Sequence, residues 1–123
     1  MTDLNGKIAV VTGASRGIGE ASARALDAAG ARVVVSGRTL SDLERVAADL
    51  NNDPVILQAD LSLPRSGTEL ADRVTDAVGG IDILVNNAGI PMRRTPDELT
   101  EEDFDLVFSI NVRSLLMLTL GLG

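Results

Sequence analysis

The sequence contains no Cys, His, Tyr or Trp, and only two Phe among 123 residues. Without Cys there is no disulfide, no thiolate nucleophile and no Cys-ligated metal. Without His the commonest general base and the commonest metal ligand are both missing. Lys7 is the single lysine, beside ten Arg. Basic residues total 11 against 18 Asp plus Glu, a net charge of −7, which argues against a nonspecific binder of nucleic acid or of an anionic membrane. No run approaches roughly 18 uninterrupted apolar residues, so a spanning helix is not expected. Met1 to Asn5 show no basic segment leading into an apolar one, so the expectation is a cytoplasmic chain without a secretory signal. The length suits one domain, residues 1–123, burying roughly two-thirds of its unfolded surface.

What is present is a strict alternation. Lys7–Thr12 is an apolar run of strand length that ends at Gly13. Beyond it Ile18, Ala21, Ala25, Leu26 and Ala29 recur at helical spacing, and Gly30 stops them. Arg32–Ser36 is β-branched and strand-like. Ser41 with Glu44 reads as a capping box opening a second helix, with Leu43, Val46, Ala47 and Leu50 inward. Pro54–Ala59 is a third strand. Ser66 with Glu69 repeats the capping pattern ahead of Leu70, Val74, Ala77 and Val78, and Gly79-Gly80 ends that helix. Asp82–Asn86 is a fourth strand. After a loop carrying Pro91, Arg93, Arg94 and Pro96, an acidic first turn at Glu101, Glu102 and Asp103 starts a last helix to about Leu120. Four βα units whose strands are apolar on both faces predict an α/β fold, a doubly wound parallel sheet of Rossmann type.

The turn after the first strand reads Thr12-Gly13-Ala14-Ser15-Arg16-Gly17-Ile18-Gly19. Glycines here permit a tight turn and close approach of backbone N–H groups to a pyrophosphate at a helix N-terminus. A plain tight βα turn would also use them, although the strand before and the helix after favour the phosphate reading. Glu20 stands where a Walker Lys-Ser/Thr would follow, so the turn is not a P-loop.

This turn, together with Asn86-Asn87-Ala88-Gly89 after the fourth strand, Asp60 after the third and Ile110-Asn111-Val112 in the last helix, resembles the short-chain dehydrogenase/reductase family. The resemblance runs through all four βα units and is greatest to ketoacyl-reductase-like members. It implies NAD(P) bound across the carboxyl ends of the strands. Gly13, Gly17 and Gly19 would shape the pyrophosphate turn, with Ser15 and Ile18 lining it. Asp60 would accept from the adenine amino group beside the Leu61 backbone, and Asn87, Ala88 and Gly89 would form the floor under the adenosine ribose. Asp60 could instead cap a loop, and Asn87 could serve only the backbone.

Cofactor choice follows from charge. An NAD site needs an acid at the end of strand two for the ribose 2′-hydroxyl, and that position reads Ser36-Gly37-Arg38. Arg38 and Arg16 are placed to pair with a 2′-phosphate, so NADP is expected over NAD. The same missing acid counts against an S-adenosylmethionine methyltransferase. Solvated surface arginines are the bland alternative.

The family's chemistry uses an Asn, a Ser, a Tyr and a Lys, the last two spaced Tyr-x-x-x-Lys. Asn111 matches the first and stands alone among Phe104, Val107, Phe108, Val112 and Leu115; a purely structural Asn is the other reading. No Tyr exists, and Lys7 lies at the start of strand one. The expectation is therefore the cofactor-binding half of a reductase, truncated before strand five and inactive alone, or else a small non-catalytic dinucleotide-binding module. A carbonyl or alcohol substrate would enter only if a C-terminal half completed the site. Otherwise the apolar fourth strand, lacking a neighbour, would favour self-association. A response-regulator-like fold, suggested by length alone, lacks its acidic cluster and late Lys.

Overall fold

In the computed structural model, which describes residues 4–87, the four apolar runs are strands and three helices connect them. The order is β1 (Ile8–Thr12), α1 (Gly17–Ala28), β2 (Arg32–Gly37), α2 (Leu40–Ala48), β3 (Val55–Gln58), α3 (Ser66–Val78) and β4 (Ile83–Val85). The last helix expected from the sequence lies outside the described residues. All pairings are parallel and the sheet order is β3-β2-β1-β4. The chain thus builds outward from β1 to β3, then returns to the other side of β1. Asp82 sets that return: Ile8 N–H donates to its Oδ2 at 2.9 Å, and its own N–H donates to the Ile8 carbonyl at 2.9 Å. These two bonds place Ala9 opposite Ile83.

The two faces of the sheet explain why the strands read as continuous apolar runs. Val11, Val33 and Val35 pack with Ala23, Leu43 and Val46 in one buried cluster. Val10 and Val34, one residue out of phase, pack with Leu61, Leu70 and Val74 in the other. Alternation by two along each strand delivers side chains to both layers, so both must be apolar. Fully burying a side chain such as Leu43 or Leu70 contributes about 1.5–3 kcal/mol. Among the described residues β4 pairs with β1 alone, and its three residues are half-buried.

Two local expectations are corrected. Neither serine caps a helix. Helix α2 begins at Leu40 with Thr39 as the N-cap, so Ser41 is already helical and cannot offer its oxygen as a cap does. Helix α3 begins at Ser66 itself, after Arg65 in a left-handed conformation, and the Ser66 hydroxyl donates back to the Leu63 carbonyl at 2.7 Å. The inward face of α1 keeps Leu26 of the apolar series, half-buried against the core, but not its other leading members. Ile18 is 75% exposed, and Ala21 and Ala25 face solvent. Gly19, Ala23 and Asp27 are buried instead, because the helix must bring Gly19 against the preceding turn.

Candidate functional site

The return of the chain across β1 makes the carboxyl ends of β1 and β4 the point where the strand order reverses. In open α/β sheets such a switch point is where ligands bind. The glycine turn enters it from β1. Gly13 (φ 61°) and Gly17 (φ 54°) hold left-handed conformations that other residues adopt only at a cost. A Cβ on Gly19 would overlap the Gly13 carbonyl and stand 2.7 Å from Asn87 Nδ2. Only glycine lets the start of α1 approach so closely, and this cradle is what a pyrophosphate at a helix N-terminus requires.

Asn87 enters from the end of β4. Its Nδ2 donates to the Gly13 carbonyl at 3.3 Å, and its backbone N–H donates to Thr12 Oγ1 at 3.0 Å. Thr12, only 1% exposed, also donates its hydroxyl to the Val85 carbonyl at 3.4 Å. Thr12 therefore clamps the ends of β1 and β4 together. It was legible only as the last residue of an apolar run; a hydroxyl ending such a run was the available signal.

The end of β2 approaches the same turn. Ala14 N–H donates to the Ser36 carbonyl at 3.0 Å, and a Cβ on Gly37 would lie 3.6 Å from Ser15 Oγ. No carboxylate stands at Ser36-Gly37-Arg38. Arg38 is exposed, and its carbonyl accepts from Gln58 Nε2 at 2.8 Å. Arg16 is 83% exposed, with Asp42 Oδ2 at 4.0 Å from its guanidinium. Ile18 is exposed beside it.

Asp60 follows β3, with Leu61 buried next to it. Asp60 Oδ1 accepts from the Ser62 N–H at 3.0 Å and from the Ser62 hydroxyl at 2.5 Å, so the loop-capping role foreseen for it is real. A shallow hollow of about 230 Å³ adjoins it, lined by Gln58, Asp60, Leu63, Glu69 and Arg73 among others. That hollow lies between β3 and α3, away from the glycine turn. Ala88, Gly89 and Asn111 lie outside the described residues. Among the described residues no cluster of His, Cys, Asp or Glu is placed to hold a metal ion, and no helix is long and apolar enough to cross a membrane.

One group of charges was missed from the sequence. Glu20, in the first turn of α1, accepts from Arg24 at 3.0 Å and from Arg45 of α2 at 3.3 Å, and Arg24 also reaches Asp49 at 3.1 Å. Hydrogen bonds from Arg24 first, then Arg45, hold the Glu20 carboxyl below the usual glutamate range. Arg45 Nη2 donates in addition to the Ser15 carbonyl at 3.0 Å. Only the Glu20–Arg24 pair, four residues apart on one helix, carried a sequence signal.

Comparison with known proteins agrees with this geometry. Residues 7–122 match the family described as short chain dehydrogenase. An uncharacterised oxidoreductase of Staphylococcus haemolyticus is 38% identical over 117 residues, covering 94% of this chain and 51% of that protein. A short-chain dehydrogenase from Burkholderia cenocepacia, solved in complex with NADP, superposes with a TM-score of 0.91 at 39% identity, covering 98% of this chain and 51% of that one. L-sorbose reductase from Gluconobacter frateurii, complexed with NADPH and L-sorbose, gives a TM-score of 0.87 at 32% identity, with coverages of 98% and 47%. The chain spans about half the length of these relatives. On the family match over residues 7–122 and these half-length relatives, the chain belongs to the short-chain dehydrogenase family.

Proposed function

We propose that these residues form the dinucleotide-binding portion of an NADP(H)-dependent oxidoreductase. The observation that carries the reading is the Gly13–Gly19 contact at the switch point, a cradle that a single Cβ would fill. Gly13, Gly17 and Gly19 shape the pyrophosphate turn, lined by Ser15 and Ile18. Asn87, with Ala88 and Gly89, lies under the adenosine ribose. Asp60 meets the adenine amino group through the oxygen that Ser62 leaves open, next to Leu61. Arg16 and Arg38 pair with a 2′-phosphate, because the end of β2 offers a guanidinium where NAD selection needs a carboxylate. The NADP and NADPH complexes among the relatives support this choice of cofactor.

A bound nicotinamide would supply hydride to, or take it from, a carbonyl or alcohol carbon. Carbonyl reduction also needs a proton donor aimed at the developing alkoxide. The 123 residues contain no Tyr, His or Cys, and Lys7 sits before β1, at the opposite end of the strand from the glycine turn. Guanidinium groups stay protonated and donate poorly. These residues therefore hold and orient the cofactor, Asn111 contributes to a relay only within a completed site, and the chain alone does not turn over. Among the described residues β4 is paired only on its β1 side, and its open edge favours self-association of the chain alone.

Titration of the chain with NADPH and NADH tests the reading. NADPH should bind more tightly, and Arg38→Ala should weaken it roughly tenfold to a hundredfold, the loss of one charge-assisted hydrogen bond. NADH should hardly respond. Tighter NADH than NADPH in the unmodified chain would overturn the cofactor assignment.

A further inference from the structure

We propose that Arg45 is a positioning residue that holds the glycine turn in its cofactor-ready shape through the Ser15 carbonyl. Arg45 lies on the exposed side of α2, while its neighbours Val46 and Ala47 face the core. Its side chain is about half exposed (52%). Its Nη2 reaches across to a different element and donates to Ser15 O at 3.0 Å, while Glu20 Oε1 at 3.3 Å steadies the same nitrogen. Glu20 is in turn held by Arg24, and Arg24 by Asp49 at the end of α2. The chain of contacts runs from α2 through α1 and back, with the Ser15 carbonyl as its one attachment to the turn.

Fixing that carbonyl fixes a peptide plane. In a trans peptide the C=O of Ser15 and the N–H of Arg16 point to opposite sides. With Ser15 O drawn toward α2, the Arg16 N–H is turned away from α2. Other restraints on the turn are Asn87 Nδ2 on the Gly13 carbonyl at 3.3 Å and Asp42 Oδ2, 4.0 Å from the exposed Arg16 guanidinium. Ala14 N–H is tied to Ser36 O at 3.0 Å on one side, and Glu20 N–H to Arg16 O at 3.2 Å on the other. Gly17, between them, would meet nothing with an added Cβ, so neighbouring atoms do not wedge it in place. Arg45 is the side chain of α2 that bonds a backbone carbonyl in the middle of the turn. Pyrophosphate is common to both dinucleotides, so ordering this turn raises affinity for each; Arg38, by contrast, acts on the 2′-phosphate alone. The role in binding rests on the dinucleotide reading above; the order of the turn does not.

Amide exchange in the chain without cofactor reads that order. In Arg45→Met the amides of Ala14 and Glu20 should exchange about three- to tenfold faster, as loss of a charged but partly exposed hydrogen bond implies. Core amides such as Val34 should keep their rates. Arg24→Met, which removes a Glu20 partner but leaves Ser15 bonded, should leave both turn amides close to the unmodified rate. Unchanged turn amides in Arg45→Met, or equal acceleration in both variants, would overturn the proposal. In titrations, Arg45→Met should weaken both NADPH and NADH, and weakening of NADPH with NADH unchanged would instead make Arg45 act at the 2′-phosphate and overturn it as well. Failure of the unmodified chain to bind either dinucleotide would count against the proposed function, while the exchange result would still decide the role of Arg45.

Discussion

The two ends of the sheet are built on opposite plans. At the amino end, polar groups are consumed by the chain itself. Asp27, 6% exposed, accepts the backbone N–H groups of Asn51 at 2.9 Å and Asn52 at 3.0 Å, and Asn52 Nδ2 returns to the Asp27 carbonyl at 2.7 Å. Arg32 binds the Asp53 carbonyl and carboxylate, and Asp82 pins β4 to β1. At the carboxyl end, Arg16, Ile18 and Arg38 stand exposed around a glycine cradle. The amino end commits its charges to the chain, while the carboxyl end pairs Glu20, Arg24 and Arg45 behind the turn and leaves Arg16 and Arg38 exposed in front of it. This division is what a parallel sheet with its site at a switch point demands.

The comparison can be broken by moving bulk into the open end. Gly19→Val should weaken dinucleotide binding by roughly a hundredfold, because overpacking against the Gly13 carbonyl and Asn87 displaces the turn. Titration checks it, with retained circular dichroism showing that the fold survives. Unchanged affinity would mean the turn does not carry the cofactor.

At the closed end the reverse holds. Asp27→Ala should cost about 2–3 kcal/mol of stability, read from the urea midpoint, since two backbone donors lose a charged acceptor. Affinity for NADPH in the folded protein should stay the same. A large loss of affinity would show that the two ends are not separate in role.

The smallest effect sharpens the boundary between them. The Glu20 carboxyl is held below its usual range by Arg24 and Arg45. A depressed folded-state value means the stabilisation is complete above the ordinary glutamate range, about pH 4.3, and is lost as pH falls through the lowered value. Glu20→Gln should therefore lose less stability on acidification than the unmodified chain. Identical acid profiles would mean these exposed pairs contribute nothing measurable.

The same contrast explains what could be read from the sequence. Strands were legible because two-sided burial writes continuous apolar runs, as in Val33-Val34-Val35. The glycine turn was legible because backbone conformation restricts residue type directly. The buried face of α1 was not: Gly19, Ala23 and Asp27 are small or polar, so the hydrophobic series pointed to Ile18, Ala21 and Ala25. The capping pairs misled because Ser41 and Ser66 carry the right spacing inside turns that are already helical. Thr12, Asp27 and Arg45 act through partners 24 or more residues away, across pairings that exist only once the sheet has formed.

On the proposed reading the dinucleotide occupies the carboxyl end of β1 and β4 and leaves the amino end untouched. Mapping NADPH-induced shifts of backbone amides in the isotopically labelled chain tests it most directly. The account predicts shifts at Gly13 to Gly19, Arg38 and Asn87, and none at Asp27, Asn51 or Asn52. Shifts concentrated at Asn51 and Asn52, or beside Leu63 and Arg73 with the glycine turn silent, would contradict it.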